Sequence, residues 1–185
     1  MTEPNVNAPT CTLTPRDPDW PSQLEQRLGP DAPQQLHLLG AGSILNQPLA
    51  ALFCSARCPG DAILRTYDQA AQWRDLGRAV VSGFHSPMEK ECLRILLRGR
   101  QPIVLCPARE VPGRIAPELR PALAAGRLLI VTPFSSNERR VTTDLAERRN
   151  LLVAALASEV WFAHVTPGGR MERLAQRIAA WAKSG

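Results

Sequence analysis

The chain has 185 residues, enough for one domain with a full core and too few for two comfortable ones. It is 44% hydrophobic and 21% charged, the composition of an ordinary soluble globular protein, and no apolar run approaches the roughly 20 residues that span a membrane. A formal charge of +5 and a pI near 9.3 suit nucleic acid or nucleotide phosphate, although arginine-rich chains reach such values without that partner. The five cysteines, Cys11, Cys54, Cys58, Cys92 and Cys106, form an odd set with no signal peptide, which points to reduced thiols and a cytoplasmic protein. Cys54 and Cys58 lack a second Cys/His pair at ligand spacing, so neither a metal nor a cofactor is expected.

Residues 1–19 are rich in Pro, Asn, Thr and Asp, and the expectation is a flexible arm ahead of a single domain over residues 20–185. A short helix is expected from Ser22 to Leu28, stopped by Gly29-Pro30, then a short strand from Leu36 to Leu39 and a turn from Ser43 to Asn46. From Leu49 the pattern becomes regular. Apolar runs at Leu49–Cys54, Ala79–Val81, Pro102–Cys106, Leu128–Val131 and Val160–Val165 read as strands, the last as one buried on both faces. Helices at Asp61–Leu76, Pro87–Leu97, Pro117–Ala125 and Thr143–Ala157, and one beginning at about Arg170, alternate with them. Short apolar strands alternating with longer helices mean a mostly parallel sheet with right-handed crossovers, so an α/β, Rossmann-like, three-layer α/β/α fold is expected.

In such sheets ligands sit beyond the carboxyl ends of the strands, where strand order reverses. That rule nominates the loops that follow the strands. In Cys54-Ser55-Ala56-Arg57-Cys58-Pro59-Gly60, the small Ser55 allows close phosphate approach and Arg57 offers a bidentate donor; a tight turn with a solvated arginine is the plain alternative. In Ser82-Gly83-Phe84-His85-Ser86-Pro87, Ser82 and Gly83 can receive phosphate oxygens and His85 can stack on a base, against a turn with a surface histidine. Glu89 reads as part of the charged first turn of a helix. Arg139, Arg140, Arg148 and Arg149 cluster around a helix start where Asp144 and Glu147 can neutralise part of the charge. Asn150 stands at the edge of an apolar face, where its amide needs partners or a ligand. Pro167-Gly168-Gly169 before a helix is a turn whose backbone can approach an anion; Glu172 belongs either to the first helical turn or to a phosphoribosyl site in which it does chemistry.

The order of these motifs resembles the Rossmann-like domain of the DNA-processing protein A (DprA, also called Smf) family, within the wider group that includes the LOG-type nucleotide phosphoribohydrolases. The resemblance covers about residues 36–175. It lies in LHLLGAGSILNQPLAALFCSAR, in VVSGFHSPMEKECL and in RRNLLVAALASEVWFAHV. Ser55 stands where the family usually has glycine, and the serine-glycine loop is short and lacks the family's G-I-D and A-H pairs. Leu151 replaces the second arginine of R-N-R, and Arg170-Met171 replaces the glycine-threonine that follows P-G-G in the LOG group. On this length no carboxy-terminal winged helix is expected.

The resemblance implies single-stranded DNA binding on a basic, phosphate-contacting surface, help in loading RecA recombinase during transformation or recombination, and a binding function more than an enzymatic one. The expected contacts are Ser55, Arg57, Ser82, Gly83, His85, Arg149, Asn150, Gly168 and Gly169. The rival reading is a small-nucleotide sensor or a LOG-like nucleoside monophosphate phosphoribohydrolase, with Glu172 as its catalytic residue. Exposed sheet edges or helix faces could support a homodimer, as is frequent in the family.

Overall fold

A computed structural model describes residues 10–55, 58–135, 138 and 140–181. Its strands are β1 (Thr10–Leu13), β2 (Leu36–Gly40), β3 (Ala50–Phe53), β4 (Val80–Ser82), β5 (Ile103–Leu105), β6 (Leu128–Thr132) and β7 (Glu159–Phe162). The helices are α1 (Gln23–Leu28), α2 (Gly60–Asp75), α3 (Pro87–Leu97), α4 (Arg120–Ala124), α5 (Thr143–Leu156) and α6 (Arg170–Trp181). The strands form one sheet in the order β1-β2-β6-β5-β4-β3-β7. The five strands from β6 to β7 run parallel, and β2 and β1 add an antiparallel edge.

Both faces of the sheet are covered, and strand periodicity divides the side chains between them. Leu129 and Val131 of β6, with Ala51 and Phe53 of β3, meet Leu24 and Leu28 of α1, Leu152–Leu156 of α5 and Met171 and Leu174 of α6. Leu128 and Ile130, with Ala50 and Leu52, meet Trp73 of α2, Cys92 and Leu96 of α3 and Leu123 of α4. Arg27 donates to the carbonyls of Ala155 and Ala157 at 3.0 and 2.5 Å, so a guanidinium from α1 caps the open carboxyl end of α5.

Two departures from the sequence expectations are local. Thr10–Leu13, placed in the flexible arm, forms the edge strand β1, paired residue for residue with Leu36–Leu39. Only Leu13 of the four is buried, so the strand carries almost no hydrophobic signature of its own. Val160–Val165 is a shorter strand than its apolar run, and β7 is a half-exposed edge strand, not one buried on both faces. Its aromatics pack one-sidedly, Phe162 stacked on Phe53 and Trp161 edge-on to Trp73.

The order of the strands places the site. From β3 the chain steps outward through β4, β5 and β6, each beside the last, then returns by α5 to lay β7 on the far side of β3. Crossovers on opposite faces part between β3 and β7, which opens a crevice at their carboxyl ends.

Candidate ligand site at the carboxyl rim of the sheet

At that crevice the structure holds a cavity of about 500 Å³, walled by Cys54 and Ser55 after β3, His85, Ser86 and Glu89 after β4, Arg149 and Asn150 of α5, and Thr166, Gly169 and Arg170 after β7. Its volume lies within the range of small-molecule sites, about 300–1,000 Å³. Three loops and one helix meet there, far apart in sequence and adjacent only because the sheet reverses.

The β4 side is built by Glu89. Ser86 and Glu89 form a capping box at the start of α3, where the Ser86 hydroxyl accepts from the Glu89 N–H at 3.2 Å. The Glu89 carboxylate also accepts from three backbone N–H groups, those of Cys54 (3.2 Å), His85 (2.8 Å) and Ser86 (3.1 Å). It thereby ties the loop after β3 to the loop after β4. The amides that would greet a phosphate at this helix end are occupied by the chain's own carboxylate.

Ser82 is fully buried; its hydroxyl donates to the Leu52 carbonyl at 2.8 Å and accepts from Phe84 N–H at 3.2 Å. Gly83 is a glycine because Arg149 lies against it. A Cβ there would stand 1.6 Å from the Arg149 Nη1 atom. Phe84, buried at φ +44°, turns the chain back through the left-handed region, an uncommon geometry for an aromatic residue, and His85 beyond it is exposed at the cavity mouth.

Arg149 is 6% exposed. Its Nη1 donates to the Cys106 carbonyl at 3.1 Å and its Nε to the Asn150 Oδ1 at 2.8 Å. Burial pushes the guanidinium pKa down, while Glu89 favours its charged form. Cys106 is pushed up to about 12 by burial, so the thiol under the arginine is neutral. Asn150 is half-buried on the cavity wall, and its Nδ2 has no hydrogen-bond partner among the described residues. The arginine therefore orients the amide: with Oδ1 engaged, the donor end is what Asn150 can offer a ligand.

On the β7 side, the Ser55 hydroxyl donates to the His164 carbonyl at 2.9 Å and accepts from Thr166 N–H at 3.4 Å. Gly168 has φ +72°, and its N–H donates to Glu172 Oε2 at 2.8 Å. Gly169 is closed to a side chain, since a Cβ would stand 2.8 Å from the Thr166 carbonyl oxygen. Glu172 is thus engaged in the helix-start turn and does not line the cavity.

Of the residues expected from sequence, Ser55, His85, Arg149, Asn150 and Gly169 meet at one cavity. Ser82 and Gly83 lie behind that wall, Gly168 lies outside it, and Arg57 and Arg139 fall outside the described residues. The basic cluster separates in space: Arg149 is buried, and Arg148 stands over the Phe134 ring, 5.2 Å from its centroid. Glu147, expected to neutralise that cluster, faces α6 instead, 3.7 Å from Arg170 and 3.9 Å from Arg173. Sequence reasoning missed the role of Glu89 in joining two loops; the signal was there in Ser86-x-x-Glu89, which is a capping box. Among the described residues no group of three His, Cys, Asp or Glu side chains could hold a metal ion, and no helix is long and apolar enough to cross a membrane.

Two solved structures share this fold. DNA processing protein A (DprA) from Streptococcus pneumoniae superposes with a TM-score of 0.77 at 16% identity, over 93% of this chain and 60% of that one. DNA processing protein A from Helicobacter pylori, whose structure concerns the single-stranded DNA binding mode of that protein, superposes with a TM-score of 0.74 at 18% identity, over 94% of this chain and 78% of that one. The chain thus spans about three fifths of the length of the streptococcal protein. A comparison with curated protein sequences gives no match. The sequence model of the DNA recombination-mediator protein A family matches residues 11–166, from the edge strand β1 through β7 to the glycine turn, and the chain belongs to that family.

Proposed function

We propose that the chain binds single-stranded DNA at the carboxyl rim, with one nucleotide unit seated in the cavity between β3, β4 and β7. The observation that carries this reading is the cavity itself. It lies at the reversal of strand order, has room for a nucleotide, and presents the Asn150 amide at its wall. Ser55, His85, Asn150 and Gly169 are the assigned contacts, with Arg170 beside them. Ser82 and Gly83 support the wall from behind, and Arg149 stands in the wall and orients Asn150. Membership of the family, and the single-stranded DNA binding named for the similar H. pylori protein, support the choice of ligand.

Fluorescence anisotropy of a labelled oligothymidylate, titrated between about 50 and 200 mM salt, tests it. Affinity should fall as salt rises, because each phosphate contact on a single strand contributes a slope of about −0.7. Absence of binding at low salt removes the reading. The rival phosphoribohydrolase loses support because Glu172 is committed to the Gly168 amide and stands outside the cavity lining. Release of free base from nucleoside monophosphates would revive it. Assistance in recombinase loading, with RecA as the implied partner, and homodimerisation extend the proposal; a RecA pull-down and light scattering address them.

A further inference from the structure

A second groove continues from the cavity. It is about 200 Å³, runs between α5 and α6, and shares Glu147, Asn150 and Arg170 with the cavity wall. Leu151 and Leu174 form its apolar floor, and Arg173 and Arg177 carry its rim onward. Arg170, Arg173 and Arg177 recur at helical spacing on one stripe of α6, so the row is about 10 Å long at 1.5 Å rise per residue.

Arg170 and Arg173 are held by weak pairs, whereas Arg177 is hydrogen-bonded to Asp31. Glu147 Oε1 lies 3.7 Å from Arg170 and 3.9 Å from Arg173, beyond hydrogen-bond length, and all three side chains are about half exposed. Arg177 pairs with Asp31 at the far end. Exposed pairs of this kind exchange readily, and a phosphodiester offers each guanidinium a planar, charge-assisted, bidentate contact that a carboxylate 3.7–3.9 Å away does not.

We propose that the α5–α6 groove is the exit track of the bound strand, its phosphates running along Arg170, Arg173 and Arg177, and that Glu147 is an intramolecular competitor that occupies this track when no DNA is bound. The proposal rests on the single-stranded DNA reading above and adds the direction of the strand and a built-in brake on affinity. Sugar and base faces pass over Leu151 and Leu174 while the backbone follows the arginines. A carboxylate between two of the three phosphate sites sets the affinity below what the arginines alone would give.

The test uses the full chain, a labelled 12-residue oligothymidylate and three variants, with thermal denaturation alongside. Glu147→Gln should tighten binding by about threefold or more at low salt, because it removes a charge beside the track. The double variant Arg173→Ala/Arg177→Ala should weaken binding and lower the salt slope by about 1.4, two phosphate contacts at about 0.7 each. Asp68→Asn, an equal charge change on α2 at the other face of the sheet, should leave both unchanged. If the wild-type chain binds but Glu147→Gln behaves as Asp68→Asn does, the track is wrong and the cavity reading stands. A Glu147→Gln variant with lower thermal stability and unaltered affinity overturns the track in the same way, since the pairs would then only dock α6. If the wild-type chain binds no oligonucleotide, both readings fall together.

Discussion

After β4 the chain ties its polar groups together through a buried carboxylate, and after β7 it ties them at the surface beside an amide donor unengaged among the described residues, although both loops leave the same rim of the same sheet. The β4 loop runs through a buried serine, a glycine pressed against a guanidinium and a left-handed phenylalanine, and Glu89 collects three of its surrounding amides. The β7 loop is held by part-buried and exposed contacts, Ser55 to His164 and Thr166, Gly169 N–H to the Thr166 carbonyl and Gly168 N–H to Glu172, and hands on to a helix whose arginines are half exposed. At both helix starts a glutamate of the helix already takes a preceding backbone amide, so what the β7 side leaves open is the Asn150 amide and the arginines of α6. The two sides should respond differently to perturbation, the first in stability and the second in binding.

The largest effect belongs to the closed side. Gly83→Ala places a methyl group 1.6 Å from the Arg149 Nη1 atom, so the guanidinium must leave its place against Gly83 and give up its bond to the Cys106 carbonyl. Overpacking with displacement of a buried charge should cost about 3 kcal/mol or more, read as a lower urea midpoint. A neutral result would mean that Arg149 swings freely into the cavity, and the contrast between the two loops would then dissolve.

Alkaline pH probes the same side without mutation. Burial pushes Cys92 of α3, and Cys106 beneath Arg149, up to about 12, from an ordinary value of 9.0. Below pH 9 both states keep these protons and the thiols add no pH dependence. Above it the unfolded chain releases them first, so it binds fewer protons and stability falls with rising pH. The slope approaches about 1.4 kcal/mol per pH unit for each thiol, and continues toward the folded pKa. Chemical denaturation at several pH values above 9 measures this; a flat profile would mean that water reaches both thiols.

Glu89→Gln comes next. Glutamine keeps one acceptor oxygen where the carboxylate serves three amides, and its NH2 faces a donor. A loss of about 2 kcal/mol is expected, from weaker charge-assisted bonds and at least one unpaired buried N–H. Because the loops after β3 and β4 are joined by this carboxylate, hydrogen exchange at Cys54 and His85 should quicken together. Faster exchange at only one of them would separate the loops.

The sequence carried the α/β alternation because buried parallel strands and amphipathic helices have different periods, visible in Leu49–Phe53 against Gly60–Asp75. It did not carry β1, whose Thr-Cys-Thr alternates nothing apolar and whose position depends on pairing with β2 and on one buried side chain, Leu13. At the site the residue types were legible and their sides were not. Arg149 and Asn150 were singled out together, yet one step along a helix turns a side chain by about 100°. Arg149 is buried against Gly83 with only part of it in the cavity wall, while Asn150 turns its donor end to the cavity. Glu147 shows the same limit, since its neighbours in sequence are Arg148 and Arg149 and its neighbours in space come from α6.

Asn150 is where the open side can be separated from the closed one most cleanly. Asn150→Ala removes one acceptor from a guanidinium that keeps its bond to the Cys106 carbonyl, so the stability loss should stay near or below about 1 kcal/mol. The change carries no charge, so the salt slope of oligonucleotide binding should match that of the wild-type chain while the affinity falls by about fivefold to tenfold, one good hydrogen bond to the strand. Removing an arginine of α6 should do the reverse, lowering the slope along with the affinity. A parallel fall in slope for Asn150→Ala would mean that Arg149 had moved with it, placing the guanidinium among the phosphate contacts and joining the two sides into one site.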